Sequence, residues 1–194
     1  MLLCALTARI TKREKIKDRR MNRFFKLLKQ RAAFIAVSAF IVAADRISKN
    51  YFEDYLSGVE GNSVRALGDS FARFTLAYNE GIAFSIDLGG RYVLSTVSVI
   101  ASLVLLFLIF STDIGKRTEL WALSLILGGA AGNLIDRITT GRVVDFIDCD
   151  FPDFIMHRWP VFNLADSFIT VGMVFLFIHF IFFEKGAVKT DDLS

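Results

Sequence analysis

FNLADSFITVGMVFLFIHFIFF, residues Phe162 to Phe183, is long and apolar enough to cross a bilayer core, yet it carries a carboxylate, Asp166, near its start. An ionised carboxylate is costly in hydrocarbon. Such a residue persists where it faces a protein-lined or water-filled space with partners, so Asp166 marks a functional site. Three further stretches have spanning character. Tyr92 to Phe110 is an uncharged run of 19 residues, and Leu120 to Ile135 is one of 16. Ala32 to Ala44 is uncharged for 13 residues and reaches spanning length only by continuing through Asp45 and Lys49 to about Tyr55.

A length of 194 residues would suit one soluble domain, but 54% hydrophobic residues, 20 Phe and a mean hydropathy of +0.48 agree with the run lengths. The expected fold is a membrane all-α bundle of four transmembrane helices. Spans fall at about 32–55, 92–110, 120–136 and 163–183, within one domain over 32–184. A basic extension, 1–31, precedes it, and a tail, 185–194, follows.

Lys and Arg near the ends of spans stay on the cytoplasmic side. Residues 1–31 carry 11 of them against Glu14 and Asp18. Asp45 to Arg91 holds five basic and seven acidic residues, and Asp136 to Val161 holds three and five, so external segments are expected at about 56–91 and 137–162. Both termini then lie in the cytoplasm, with Lys116 and Arg117 in a short cytoplasmic turn. The N-terminal run TKREKIKDRRMNRFFKLLKQR has the charge to bind nucleic acid or anionic lipid, but ahead of a first span it reads as an orientation signal, and no nucleic-acid partner is expected. Met21 is a candidate start, with residues 1–20 an upstream extension; N-terminal sequencing that found earlier residues would exclude it.

Cys4 and Cys149 fall on opposite sides of the membrane and cannot pair within one chain. No spacing resembles a zinc site and no glycine-rich phosphate loop is present, so neither metal nor cofactor is expected.

Polar residues gather at the external ends of the spans. Asp45 and Lys49, at i and i+4, can form an intrahelical ion pair, structural or functional. Asn133, Asp136 and Arg137 follow the small-residue run Gly128 to Gly132, which permits close helix approach. Asp136 is expected to pair with its neighbour Arg137 or to clamp a loop. Asp145, in the strand-like RVVDFID, folds back towards the bundle, while Asn163, Asp166 and Thr170 form a polar stripe at the mouth of the last span. Two carboxylates, Asp145 and Asp166, can therefore converge where membrane meets water.

Two carboxylates in one small site have their proton affinities pushed apart, so one is a base while the other is still an acid. Amide hydrolysis uses both roles. His179, 13 residues beyond Asp166, lies about 20 Å further along the helix and is a helix-face residue; His157 is a solvated loop residue. Segment 58–91 is too polar to span. Alternation at Phe74, Leu76 and Tyr78 predicts a strand, with a turn at Asn79, Glu80 and Gly81, together an external sheet-like flap able to hold a peptide backbone.

DRISK at Asp45 to Lys49, NEGIAFS at Asn79 to Ser85, GGAAGNLIDRITTGRVVDFID at Gly128 to Asp148 and FNLADSFITVG at Phe162 to Gly172 occur in the order found in the bacterial lipoprotein signal peptidases, signal peptidase II. The chain resembles that family from about Ala32 to Phe183. The resemblance implies an intramembrane aspartic endopeptidase of the bacterial inner membrane that cleaves prolipoproteins before a diacylglyceryl-modified cysteine. It implies Asp145 and Asp166 as the catalytic pair, and Asp45, Lys49, Asn79, Asn133, Arg137 and Asn163 as polar support, with Asp136 adjoining. A small extracytoplasmic β-cradle and an interfacial helix also follow from it. Partners are then lipidated prolipoprotein signal peptides and membrane lipid, with the enzyme a monomer. Ile82 stands where the family often has a smaller residue, and DCDFPDFIMHRWPVFN is a long approach to the last motif. The main alternative is a small transporter or channel component with buried charges as an ion or proton relay, although relay charges belong nearer the midplane. A structural assembly protein with buried ion pairs is a third reading.

Overall fold

No Gly or Pro occurs before Gly58, and the chain from Leu2 to Ser57 is one unbroken helix, α1. The expected boundary after residue 31 therefore lies inside a continuous helix. The computed structural model describes residues 2–67, 71–81, 91–150 and 159–184. Ile82 to Ser85, the second part of the NEGIAFS motif, His157 and the tail 185–194 lie outside these residues, as does the side chain of Cys4.

Along α1 the buried positions are Arg31, Phe34, Ser38, Ile41, Asp45, Lys49 and Leu56, spaced at three and four residues, or twice that after Lys49, so a single stripe faces the bundle. Phe34 and Ile41 make its apolar part, and Asp45 and Lys49 an ionic part above them. Three more helices follow: α2 (Arg91–Ser111), α3 (Arg117–Thr139) and α4 (Leu164–His179), the last continued by a π-helical turn, Phe180–Glu184. All four are long and apolar enough to cross a membrane. Phe40, Ile47, Phe107, Met173 and Phe177 are exposed on the outer surface. In water such a coat is a liability, whereas against lipid it meets its like.

α3 is the central helix, touching α1, α2 and α4. Its glycines explain how. A Cβ at Gly128 would lie 2.8 Å from the Cβ of Ile41, one at Gly132 would lie 2.6 Å from Asp45 Oδ2, and one at Gly129 would collide with the carbonyl oxygen of Ala165. Hydrogen at these positions lets three backbones approach closely. At the end where α2 turns into α3, Phe34, Ile109, Leu120, Leu123 and Leu127 form the apolar core, with Phe34 against Trp121 at 4.5 Å between ring centroids. Arg31, read from sequence only as an orientation charge, is buried there. Its Nε donates to the Ile109 carbonyl (2.9 Å) and its Nη2 to the Thr112 carbonyl (2.6 Å), so it satisfies orphan carbonyls at the C-terminus of α2.

At the opposite end stands a small antiparallel sheet of order β1-β2-β3: β1 (Ser63–Leu67), β2 (Ala72–Asn79) and β3 (Val143–Cys149). The alternating residues of β2 and the RVVDFID run do form strands, and Asp145 folds back as expected. Gly141, at φ 83°, allows the reversal from α3 into β3; the N–H groups of Thr140 and Gly141 both donate to the Asp136 carbonyl. Phe52 of α1 packs between Phe74 of β2 and Phe146 of β3, at 4.4 and 4.3 Å. Phe162 pairs with Ile147 just before α4 begins, which ties β3 to the last span. Among the described residues of 58–81 the only helical turn is a 3-10 turn, Glu60–Asn62; residues 82–90, the remaining place in that segment for an interfacial helix, lie outside the description.

Candidate active site

The local sequence Asn163-Leu-Ala-Asp166 is a reciprocal helix cap. Asn163 Oδ1 accepts the Asp166 backbone N–H (3.0 Å), and Asp166 Oδ2 accepts the Asn163 backbone N–H (3.2 Å). The carboxylate that looked anomalous in an apolar run thus sits in the first turn of α4, where the helix dipole favours negative charge. Its other oxygen, Oδ1, accepts Asn133 Nδ2 at 2.7 Å. Thr170, one turn on, is exposed and donates its hydroxyl to the Asp166 carbonyl.

Asp145 comes from the middle of β3, opposite Ala77, and is buried with only 2% of its surface accessible. Asn163 Nδ2 donates to its Oδ1 at 2.6 Å, and the Asn79 side chain supplies a second hydrogen bond. Burial, and after it the nearby charge of Asp166, push the Asp145 carboxyl up to about 7, with the bonds from Asn163 and Asn79 and the charge of Lys49 opposing the rise. At neutral pH Asp145 therefore holds its proton for a large share of the time. Both carboxylates line one cavity of about 250 Å3, together with Asn79, Asn133, Arg137 and Trp159.

Behind the cavity lies an ionic cluster built on Lys49, which is completely buried. Its ammonium donates to Asp45 Oδ2 (2.7 Å), Asp136 Oδ2 (2.9 Å) and Asn133 Oδ1 (2.8 Å), so all three protons are used. Asp45 Oδ1 in turn accepts the Ala165 backbone N–H at 2.9 Å, in the first turn of α4. Asn133 joins cluster to cavity. Because its oxygen faces the ammonium and Asn163 Nδ2 (3.1 Å), its amide nitrogen must point at Asp166.

All nine residues singled out from sequence are brought together: Asn79, Asn133, Arg137, Asp145 and Asp166 on the cavity, Asp45, Lys49 and Asp136 behind it, and Asn163 between. One expected pairing is corrected. Asp136 does not pair with Arg137, because neighbours on a helix point about 100° apart. Asp136 turns to α1, where it meets Lys49 and Arg46 Nη1 (2.6 Å), and its Oδ2 also faces the Val144 N–H at 3.5 Å, so the loop-clamp alternative holds. Arg137 turns instead to the cavity and donates to the Gly81 carbonyl at 3.4 Å, the turn after β2. Arg46 was missed. It lies beside Asp45 in sequence, and its partner is 90 residues away, so only the α1–α3 packing reveals its role. Trp159 was missed for the same reason, as no periodicity marks a loop residue for a cavity wall.

The family model for signal peptidase (SPase) II matches residues 37–182. A lipoprotein signal peptidase of Francisella tularensis subsp. novicida (strain U112) is 36% identical over 82% of this chain and 98% of its own length. One from Pseudomonas syringae pv. tomato is 38% identical over 84% and 93%, and one from Cellvibrio japonicus 43% over 74% and 83%. Two solved structures of a bacterial membrane enzyme share the fold. One superposes with a TM-score of 0.68 at 27% identity, covering 84% of this chain and 94% of that one; the other gives 0.65 at 30%, covering 77% and 93%. None of these relatives supports the transporter reading. The matched residues take in all four spans and both cavity carboxylates, and the chain belongs to the signal peptidase II family.

Proposed function

We propose that this protein removes signal peptides from prolipoproteins with Asp145 and Asp166 as its catalytic pair, cutting before a diacylglyceryl-modified cysteine at the outer face of the inner membrane. The observation that carries the assignment is Asn163: one side chain donates to Asp145 and accepts the Asp166 backbone N–H, holding both carboxylates to the same cavity. Asp166, capped at the start of α4 and supplied with a donor by Asn133, serves as the base. It takes a proton from water as the water oxygen bonds to the scissile carbonyl carbon, while Asp145 gives its proton to the carbonyl oxygen. In the second step the C–N bond breaks. Asp166 returns its proton to the leaving nitrogen, and Asp145 recovers one from the collapsing diol.

Arg137 and Asn79 position substrate around the pair, and Asp45, Lys49, Asn133 and Asp136 keep Asn163 and α4 in place. The sheet serves as a cradle for the extended backbone of the substrate. Its lipid chains and signal segment stay in the bilayer, which presents the bond at fixed depth. Eleven basic residues in 1–31 favour cytoplasmic termini, and this puts the sheet and cavity outside. Both carboxylates come from one chain, so a monomer suffices.

The test is cleavage of a lipidated prolipoprotein by purified enzyme in detergent, comparing wild type with Asp145→Asn and Asp166→Asn. Both variants are expected to fold and to lose cleavage, with Asp145→Asn melting no lower than wild type. Activity retained in either one would sink the assignment.

A further inference from the structure

We infer that residues Arg19 to Arg31 of α1 are a docking surface for anionic phospholipid headgroups, one that lays this part of the helix along the membrane. The segment lies ahead of the residues matched by the family model, which begin at 37. It is helical and, apart from Leu27 and Arg31, exposed. Met21, Phe24, Phe25 and Leu28 stand at i, i+3, i+4 and i+7, one stripe on a helix, with 46%, 56%, 53% and 44% of their surfaces exposed. Arg19, Arg23 and Lys26 occupy the opposite side, and Arg20 and Lys29 flank the stripe on its two edges. From Arg19 to Arg31 there is no acidic residue.

Orientation of a span needs positive charge alone. It does not need two phenylalanines, a leucine and a methionine segregated from that charge by helical spacing. This combination fits the boundary of an anionic leaflet, where an apolar face enters the headgroup zone and basic side chains meet phosphate. A second copy of the chain fits poorly, since pairing the stripes would set the flanking Arg20 and Lys29 against like charges and leave Arg19, Arg23 and Lys26 without a partner. Nucleic acid would engage the charges and leave the apolar face in water.

Position points the same way. Arg31 is pinned to the carbonyls that end α2, so the segment starts where the bundle stops. Upright, Arg19 would stand about 18 Å beyond that point, roughly two Debye lengths at physiological salt. α1 runs unbroken through this point, so docking on a bilayer requires it to bend just before Arg31, which lowers the segment to the surface and removes the stripe from water.

The test uses the full chain in nanodiscs of phosphatidylcholine alone or with added phosphatidylglycerol. Cys4 and Cys149 are replaced by Ser, and a spin label is attached at Phe25→Cys on the stripe or at Asn22→Cys on the basic side, between Lys26 and Lys29. Collision with oxygen and with a water-soluble nickel chelate reports depth, and catalysis plays no part, so failure here is separable from failure of the peptidase assignment. With phosphatidylglycerol, the label at 25 should be shielded from nickel and reached by oxygen, while the label at 22 stays in water. Salt at about 0.5 M should release it. The combination R19Q/R23Q/K26Q/K29Q should weaken docking by roughly 600-fold, at roughly fivefold per charge; the salt arm carries the same test should that variant fold poorly. A label at 25 in water in both discs overturns the inference. So does equal burial with and without phosphatidylglycerol, or burial with dipolar broadening between labels, which marks a second copy.

Discussion

Asp145 and Asp166 are chemically identical side chains made different by their surroundings, one buried mid-strand and the other capping a helix. Activity that needs Asp145 protonated should fall as pH rises through about 7, and a steady-state rate profile will show whether that limb exists. Because the pair shares partners, the limb belongs to the dyad as a whole. The same rise has a stability consequence. Below the ordinary value of 3.8 the folded and unfolded forms both hold the proton; between 3.8 and about 7 only the folded form does, and stability declines as pH increases. Asp145→Asn removes that decline, so the variant should gain in melting temperature over wild type at pH 8 and gain much less at pH 4. Lys49 presents the converse case. Lys49→Met leaves Asp45 and Asp136 buried without their shared cation, and a loss of about 3–5 kcal/mol in denaturant unfolding is expected, with activity falling as Asn133 loses its orientation. From sequence the residue types of the site were legible, since charges are rare in spans and so stand out. The i, i+4 pair of Asp45 and Lys49 was legible too, but the long-range partners were not: Asp136 sits next to Arg137 in the chain, yet binds Lys49 and Arg46, because helix geometry separates neighbours and tertiary packing joins α3 to α1.

At the level of elements, α3 positions the site by letting α1 and α4 come close. Gly129→Ala would drive a Cβ into the backbone carbonyl of Ala165, one residue before Asp166, which cannot swing away as the Ile169 side chain, 2.7 Å from that Cβ, could. We expect about 1–3 kcal/mol of destabilisation and a larger fractional loss of kcat than Tm alone would suggest. Gly128→Ala meets only the Ile41 side chain, at 2.8 Å, and should be milder by both measures. The pair is checked by thermal unfolding and cleavage on the same preparations. The sheet is held differently, by Phe52 between two strand phenylalanines. Phe52→Ala should cost about 2 kcal/mol and raise KM more than it lowers kcat, because it loosens the cradle while leaving Asn163 in place. Run length and charge made the four helices legible in advance, and period-two alternation made β2 legible. The end of α1 was not: a span was expected from about 32, but an uninterrupted run of good helix formers carries the helix back to Leu2.

For the whole molecule the proposed orientation makes a simple prediction. With native cysteines replaced, Glu60→Cys should react with an impermeant maleimide added to spheroplasts, and Lys116→Cys, at the α2–α3 turn, should react only after permeabilisation. The reverse pattern would place the cavity on the wrong side for a substrate exported across the membrane. The sequence by itself determined that this chain is a four-span membrane protein whose polar residues lie at one end of the bundle, because transfer of apolar runs to lipid and the sidedness of Lys and Arg are local properties of composition. It also carried the motifs of the family. Tertiary structure alone decided the long-range partners: Asp136 and Asn133 closing on Lys49, the Ala165 N–H on Asp45, Asn163 bridging Asp145 and the first turn of α4, and Arg137 turned to the cavity. Those contacts join residues up to 120 apart in the chain, and they exist only once glycine-lined helices have packed and β3 has folded back across their ends.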